Sequence, residues 1–211
     1  MIHIRLFPAY KKTRPLWEDA LYSPQLVVKR LYNNRIYNFS CADYTIIEYQ
    51  GIKMDTKIEV SISKMEQSRA RLNAVLEKVT PQVEIYPTWK IKQVMDHIAG
   101  WDELVYSTLR AYLQGETPSL AVKDGIDPYN AESVSVRKDL PLEQSRQAYH
   151  AAREHVIQIL RQMTSEMLTQ QFPAPWGGMC TVTSVVKIFV SHEMEHAKQI
   201  DAILMKSTGS S

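Results

Sequence analysis

After Met54 the chain sets its apolar residues at three- and four-residue steps in four separate stretches, with proline or glycine at the breaks between them. That period belongs to the α-helix, and a helix with one apolar stripe has to bury it against a neighbour. The first stripe is Ile58, Ile62, Met65, Leu72, Leu76 and Val79, with Arg69 in its one polar place and Pro81 as the predicted end. The second follows Pro87, takes Thr88 as its N-cap, and runs through Ile91, Val94, Ile98, Trp101, Val105, Leu109 and Tyr112 to Gly115. The third starts at Pro141 and passes Ala148, Ala151, Ala152, His155, Ile159, Met163 and Met167 to about Gln170. Pro173, Pro175, Gly177 and Gly178 then break the chain, and a fourth helix starts near Thr181 or Thr183 with Val185, Ile188, Phe189, His192, His196, Ile200 and Ile203 on one face. Four such segments predict an all-α four-helix bundle. Residues 115–140, with Pro118, Gly125 and Pro128, far exceed the roughly 2–8 residues that join antiparallel neighbours, so the second and third helices are expected to lie parallel with this connection as the crossover.

Residues 1–53 have a different character. They carry eight Lys/Arg against four Asp/Glu and six of the eleven tyrosines, without a sustained helical or strand period. Trp17–Tyr32 has the makings of a short helix and Tyr44–Tyr49 of a short strand, but neither can bury a core alone. The expectation is a poorly ordered extension over 1–53, outside the functional unit, and a folded domain over 54–211. Lys+Arg 25 against Asp+Glu 23 leaves a net +2, which argues against a dedicated nucleic-acid binder. No run approaches the roughly 20 apolar residues that cross a bilayer, and Met1–Tyr10 lacks the apolar core and cleavage site of a signal peptide. A cytoplasmic protein is expected. Cys41 and Cys180 stand alone, so a metal, if present, has to be held by His, Asp or Glu.

His192 and His196 leave the same face of the fourth helix on successive turns, and that face is the apolar one. Two imidazoles in an apolar stripe are costly without partners, and protonating both adds like-charge repulsion; a divalent ion removes both costs. His97, three residues after Val94 and four before Trp101, lies close to the second helix's stripe and can face the same interior. Three imidazoles from two helices leave coordination positions open. His150 and His155 are five apart, about 140° around a helix, and cannot chelate together; His155 is the reserve ligand. His192-Glu193-Met194-Glu195-His196 also fits the H-E-x-x-H pattern of zinc proteases, but neither His nor Glu follows as a third ligand, and Asp201 is badly placed. Glu193 and Glu195 are read as solvent-facing residues or as supports behind the ligands.

The stretch Trp89-Lys90-Ile91-Lys92-Gln93-Val94-Met95-Asp96-His97-Ile98-Ala99-Gly100-Trp101-Asp102-Glu103, together with His192-Glu193-Met194-Glu195-His196-Ala197-Lys198-Gln199-Ile200, resembles the DinB-like (YfiT-like metalloenzyme) superfamily, over roughly Met54 to Lys206. The resemblance implies a four-helix bundle with a long crossover, a three-histidine divalent-metal site at His97, His192 and His196, and a homodimer. It also implies activities such as thiol-dependent transferases and isomerases using bacillithiol, mycothiol or glutathione, and some hydrolases. The extension over 1–53 departs from the compact family pattern.

The leading functional expectation is a metal-dependent enzyme for a small-molecule substrate, with zinc first and nickel, iron or manganese open, activating water or a low-molecular-weight thiol. No side chain is assigned a catalytic role. The Trp101 side of the second helix, the crossover and the Trp176-Gly177-Gly178 turn are candidate walls of the entrance, with plain packing as the alternative for each tryptophan. A non-catalytic stress or interaction protein with a structural metal is the competing class, and a fourth protein ligand closing the site would mark it.

Overall fold

The structure is a computed structural model that describes residues 31–32, 35–36 and 56–208. Near the amino terminus β1 (Leu31–Tyr32) pairs antiparallel with β2 (Arg35–Ile36), Leu31 opposite Ile36, in a unit, Lys12–Lys53, separate from the one that contains Met54–Ser211. The helix expected over Trp17–Tyr32 therefore falls outside the described residues except at Leu31–Tyr32, which are extended; the strand expected over Tyr44–Tyr49 lies wholly outside them.

The bundle consists of α1 (Thr56–Leu76), α2 (Ile91–Leu113), a short α3 (Ile126–Ser135), α4 (Leu142–Leu160) and α5 (Val182–Thr208), with β3 (Phe172–Pro173) and β4 (Met179–Cys180) paired antiparallel ahead of α5. Side-chain pairs give the helix directions. From α2 to α4, Asp102 meets Arg153 and Tyr106 meets His155, so the two run parallel as expected. From α1 to α4, Met65 meets Arg153 and Asn73 meets Tyr149; from α2 to α5, His97 meets His196 and Trp101 meets Phe189, both pairings running antiparallel. None of these helices is long and apolar enough to cross a membrane.

Several boundaries differ from the sequence expectation. α1 ends at Leu76 rather than Pro81: the chain tightens into i to i+3 turns at Lys78 and Val79, and Pro81 disfavours helical geometry at Thr80. Thr88 is not the N-cap of α2. Lys90 is, its backbone N–H donating to the Gln93 side chain at 3.0 Å, while Thr88 sits in the preceding turn at φ 69°. The crossover is not bare loop, because α3 packs on α2 where Gly100 lets it approach, and Tyr129 donates its hydroxyl to the Gly100 carbonyl at 2.7 Å. A Cβ at Gly100 would lie 2.5 Å from that of Ser133. α4 stops at Leu160 and not near Gln170, since the amides of Gln162 and Met163 turn to carbonyls three residues back. Its buried stripe is also rotated: Tyr149, Val156 and Leu160 face inward, while Ala151 and His155 face solvent. α5 begins where expected, on a reciprocal cap in which the Ser184 amide donates to Thr181 Oγ1 and the Thr181 amide to Ser184 Oγ. Ile188, expected inside, is exposed.

Two apolar layers fill the bundle. One holds Ile62, Met65, Val105, Leu109, Val156, Leu160, Val185 and Phe189; the other Leu72, Val75, Val94, Ile98, Tyr149, Ala197 and Ile200. Each fully buried aliphatic side chain contributes about 1.5–3 kcal/mol relative to exposure. Between the layers, level with the middle of all four long helices, lie Arg69, Asp102, Arg153 and Glu193. This charged layer borders the candidate site.

Candidate metal centre

His192 and His196 are held on one face of α5 by their i, i+4 spacing, and His97 reaches them from the antiparallel α2. His192 Nε2 lies 3.1 Å from His97 Nε2 and 2.9 Å from His196 Nε2. Among the described residues these three form the one group of His, Cys, Asp or Glu side chains with metal-ligand convergence. His97 is buried, and His192 and His196 are half-buried. Aromatic rings surround them: Trp89 at 5.2 Å and Trp101 at 6.4 Å from the His97 ring, Phe189 at 6.4 Å from His192, and Tyr86 at 5.6 Å from His196. Tyr86 Oη also lies 2.6 Å from His196 Nδ1.

This setting keeps the rings neutral. Burial, then the neighbouring imidazoles, pushes the pKa of His97 well below its ordinary value, and burial with His192 beside it does the same for His196. Burial lowers His192 to about 4, Asp102 opposing the shift and Arg153 adding to it. Three neutral imidazoles that turn ring nitrogens toward one another confront lone pairs that cannot all be satisfied by shared protons. A divalent ion fits such a donor set, and both of these nitrogen–nitrogen distances are shorter than twice a zinc–nitrogen bond of about 2.0–2.1 Å. His97 Nδ1 is buried without a hydrogen-bond partner, so the productive side of that ring is its Nε2.

The reserve ligand takes no part: His155 is exposed beside Tyr106, and His150 is exposed beside Tyr149. Of the expected entrance walls, Trp101 stands next to His97, its indole N–H donating to Asn130 on α3 at 3.0 Å, and the Pro175–Gly178 turn is tied to the crossover through the Val122 amide and the Pro175 carbonyl.

Glu193 is not solvent-facing. It is fully buried, accepting from Ser68 Oγ at 2.6 Å, Arg69 Nε at 2.7 Å and Arg153 Nη2 at 2.9 Å. Asp102 accepts from Arg69 at 2.6 Å and from Arg153 at 2.9 Å. Burial opposes the Asp102 charge, but Arg153 and Arg69 outweigh it and hold its pKa below the carboxylate range. Burial likewise opposes the Arg69 charge, and Asp102 and Glu193 more than reverse that effect. With its oxygens committed to this layer, Glu193 is not available as the general base that H-E-x-x-H requires. The sequence offered only separate hints of the layer, Arg69 interrupting the first stripe and Glu193 lying next to His192, without showing that these side chains meet.

An all-helical bundle with histidines converging from two of its helices defines the class of protein. The chain belongs to the DinB superfamily, whose profile matches residues 64–200. It is 27% identical, over 125 residues, to an Oceanobacillus iheyensis protein named "putative metal-dependent hydrolase", the match covering 58% of this chain and 69% of that one. Its fold is similar to that of a mycothiol-dependent maleylpyruvate isomerase, with a TM-score of 0.57 at 10% identity, covering 68% of this chain and 60% of the isomerase. It is similar also to the colibactin self-resistance protein ClbS, solved in complex with double-stranded DNA, with a TM-score of 0.56 at 15% identity, covering 74% and 98% of the two chains.

Proposed function

We propose that this protein is a divalent-metal-dependent enzyme acting on a small molecule, with one ion held by His97, His192 and His196 and with water, or a low-molecular-weight thiol, as the nucleophile. The observation that carries this reading is the mutual approach of three neutral imidazoles at 2.9 and 3.1 Å. The name of the Oceanobacillus relative favours water, hence hydrolysis, over transfer to a thiol. Zinc is the first choice of ion, with nickel, iron or manganese as alternatives. A bundle domain over 54–211, a homodimer and a cytoplasmic location belong to the same proposal.

When bound, a divalent ion supplies Lewis acidity that favours the deprotonated nucleophile near neutral pH. The chain's own residues do the rest. His97, His192 and His196 present ring nitrogens from two rigid helices, so the donors are positioned before anything binds. Trp89, Trp101 and Phe189 place apolar surface around the imidazoles and shed water from that side. With three protein donors among the described residues, a three-coordinate protein set leaves positions for nucleophile and substrate, the pattern of a catalytic and not a structural zinc site. Metal analysis of the full chain purified without chelator, followed by assays of hydrolysis and thiol transfer, tests the reading. The expected result is about one equivalent of divalent metal per chain and metal-dependent turnover in the hydrolysis panel. A folded protein that stays metal-free and inactive after reconstitution contradicts it.

A further inference from the structure

The loop between α1 and α2 brings one residue into hydrogen-bonding distance of the histidine cluster. Pro87 and Thr88 occupy the middle of a tight turn closed by the Trp89 amide on the Tyr86 carbonyl at 2.8 Å, and Ile85 donates to the Trp89 carbonyl at 2.7 Å. Thr88 holds φ 69°, a left-handed conformation that a β-branched residue adopts only where its surroundings impose it. The turn sets the ring of Trp89 against His97 and the hydroxyl of Tyr86 against His196.

The hydrogen bonds around Tyr86 run in one direction. Glu195 and Gln199 are one helical turn apart on α5, and the Glu195 carboxylate accepts from Gln199 Nε2 at 3.0 Å. A carboxylate only accepts, so the amide nitrogen of Gln199 has to face it, and Gln199 Oε1 is left facing Tyr86 at 2.7 Å. That oxygen can only accept, so it takes the single hydroxyl proton of Tyr86. The Tyr86 oxygen then has lone pairs alone to offer His196 Nδ1 at 2.6 Å, and Nδ1 has to carry a proton.

We propose that Glu195, Gln199 and Tyr86 form an orienting relay that holds His196 as its Nδ1-protonated tautomer and so presents a bare Nε2 to His192 and His97. These are positioning residues, acting on His196 and touching neither substrate nor ion. The consequence for ion binding rests on the metal-centre reading above; the tautomer does not. Supports of this kind are worth about 10–100-fold in metal affinity.

The test uses the full chain with nitrogen-15-labelled histidine, metal-free and near neutral pH, with long-range proton–nitrogen spectra reporting which ring nitrogen of His196 carries the proton, and zinc affinity measured by competition with a chelator. The wild type should show Nδ1–H. Tyr86→Phe, which keeps the ring and removes the oxygen, should yield a mixture of tautomers and bind zinc about 10–100-fold more weakly. Glu195→Ala, a change at the far end of the relay, should move the spectrum in the same direction by less. An Nε2-protonated His196 in the wild type, or spectra unchanged by Tyr86→Phe, overturns the relay. If the spectra behave as expected and the wild type binds no zinc, the relay stands and the metal-centre reading falls.

Discussion

Two polar clusters lie inside this bundle within one or two helical turns of each other, and they are built on opposite principles. In the charged layer, two guanidinium groups and two carboxylates satisfy one another: Arg153 spans Asp102 and Glu193, and Arg69 spans the same pair from the other side. Charge is balanced and the strong donors meet strong acceptors. In the histidine cluster three rings turn nitrogens toward one another at 3.1 and 2.9 Å without enough shared protons to satisfy every lone pair, and one ring leaves its other nitrogen unbonded. The charged cluster closes on itself and serves the fold, whereas the histidine cluster, whose atoms converge without balancing, is on the proposed reading shaped to take an ion.

The two clusters should therefore respond differently to damage. Arg153→Ala strips both carboxylates of one of their two shared partners and leaves a net buried negative charge, so it should cost about 3–5 kcal/mol of folding stability. Urea unfolding of the metal-free chain measures this, and a loss below about 1 kcal/mol would show that the layer is not the internally balanced unit described here.

Acid should take the clusters apart in sequence. The imidazoles are depressed in the folded state, so the metal-free protein binds fewer protons there than when unfolded. Their contribution is fully present above the ordinary histidine value of 6.5 and is lost as pH falls toward the about 4 of His192. Asp102 is also depressed, which makes its contribution present above the ordinary 3.8 and lost only as pH falls below that. Melting temperature followed against pH in the metal-free protein should show the first decline before the second, and His192→Ala should reduce the first alone.

The smallest effect on the fold belongs to His192→Ala. Alanine's helix propensity and the removal of a buried polar ring offset the cavity left behind, so metal-free stability should change by no more than about 1 kcal/mol. Calorimetry checks that near-silence, and zinc titration of the same sample should show stoichiometric binding lost. Retention of wild-type zinc binding would remove His192 from the centre.

How much of this was legible in the sequence follows from the same contrast. The four helices were readable because Ile58 to Leu76 and Ile91 to Leu109 keep their period wherever the stripe faces the core. His192 and His196 were readable because an i, i+4 pair carries its geometry with it. The charged layer was not, since Arg69, Asp102, Arg153 and Glu193 come from four helices, and a single sequence shows charges without showing which of them meet. Arg69 reads as a gap in a stripe and Glu193 as a solvent-facing residue or a support behind the ligands, neither of which gives its partners. Tyr86 was hidden for a different reason: its place depends on a strained turn at Thr88, a residue whose type suggested a helix cap. The end of α4 was missed because Met163 and Met167 continue the helical spacing after the backbone has left the helix.

The most direct test of the central claim is X-ray absorption of the full chain loaded with one equivalent of zinc. Convergence of His97, His192 and His196 on one ion predicts a first shell at about 2.0–2.1 Å with the multiple scattering of three imidazoles. A spectrum with one imidazole or none, or one unchanged in His192→Ala, would contradict the account.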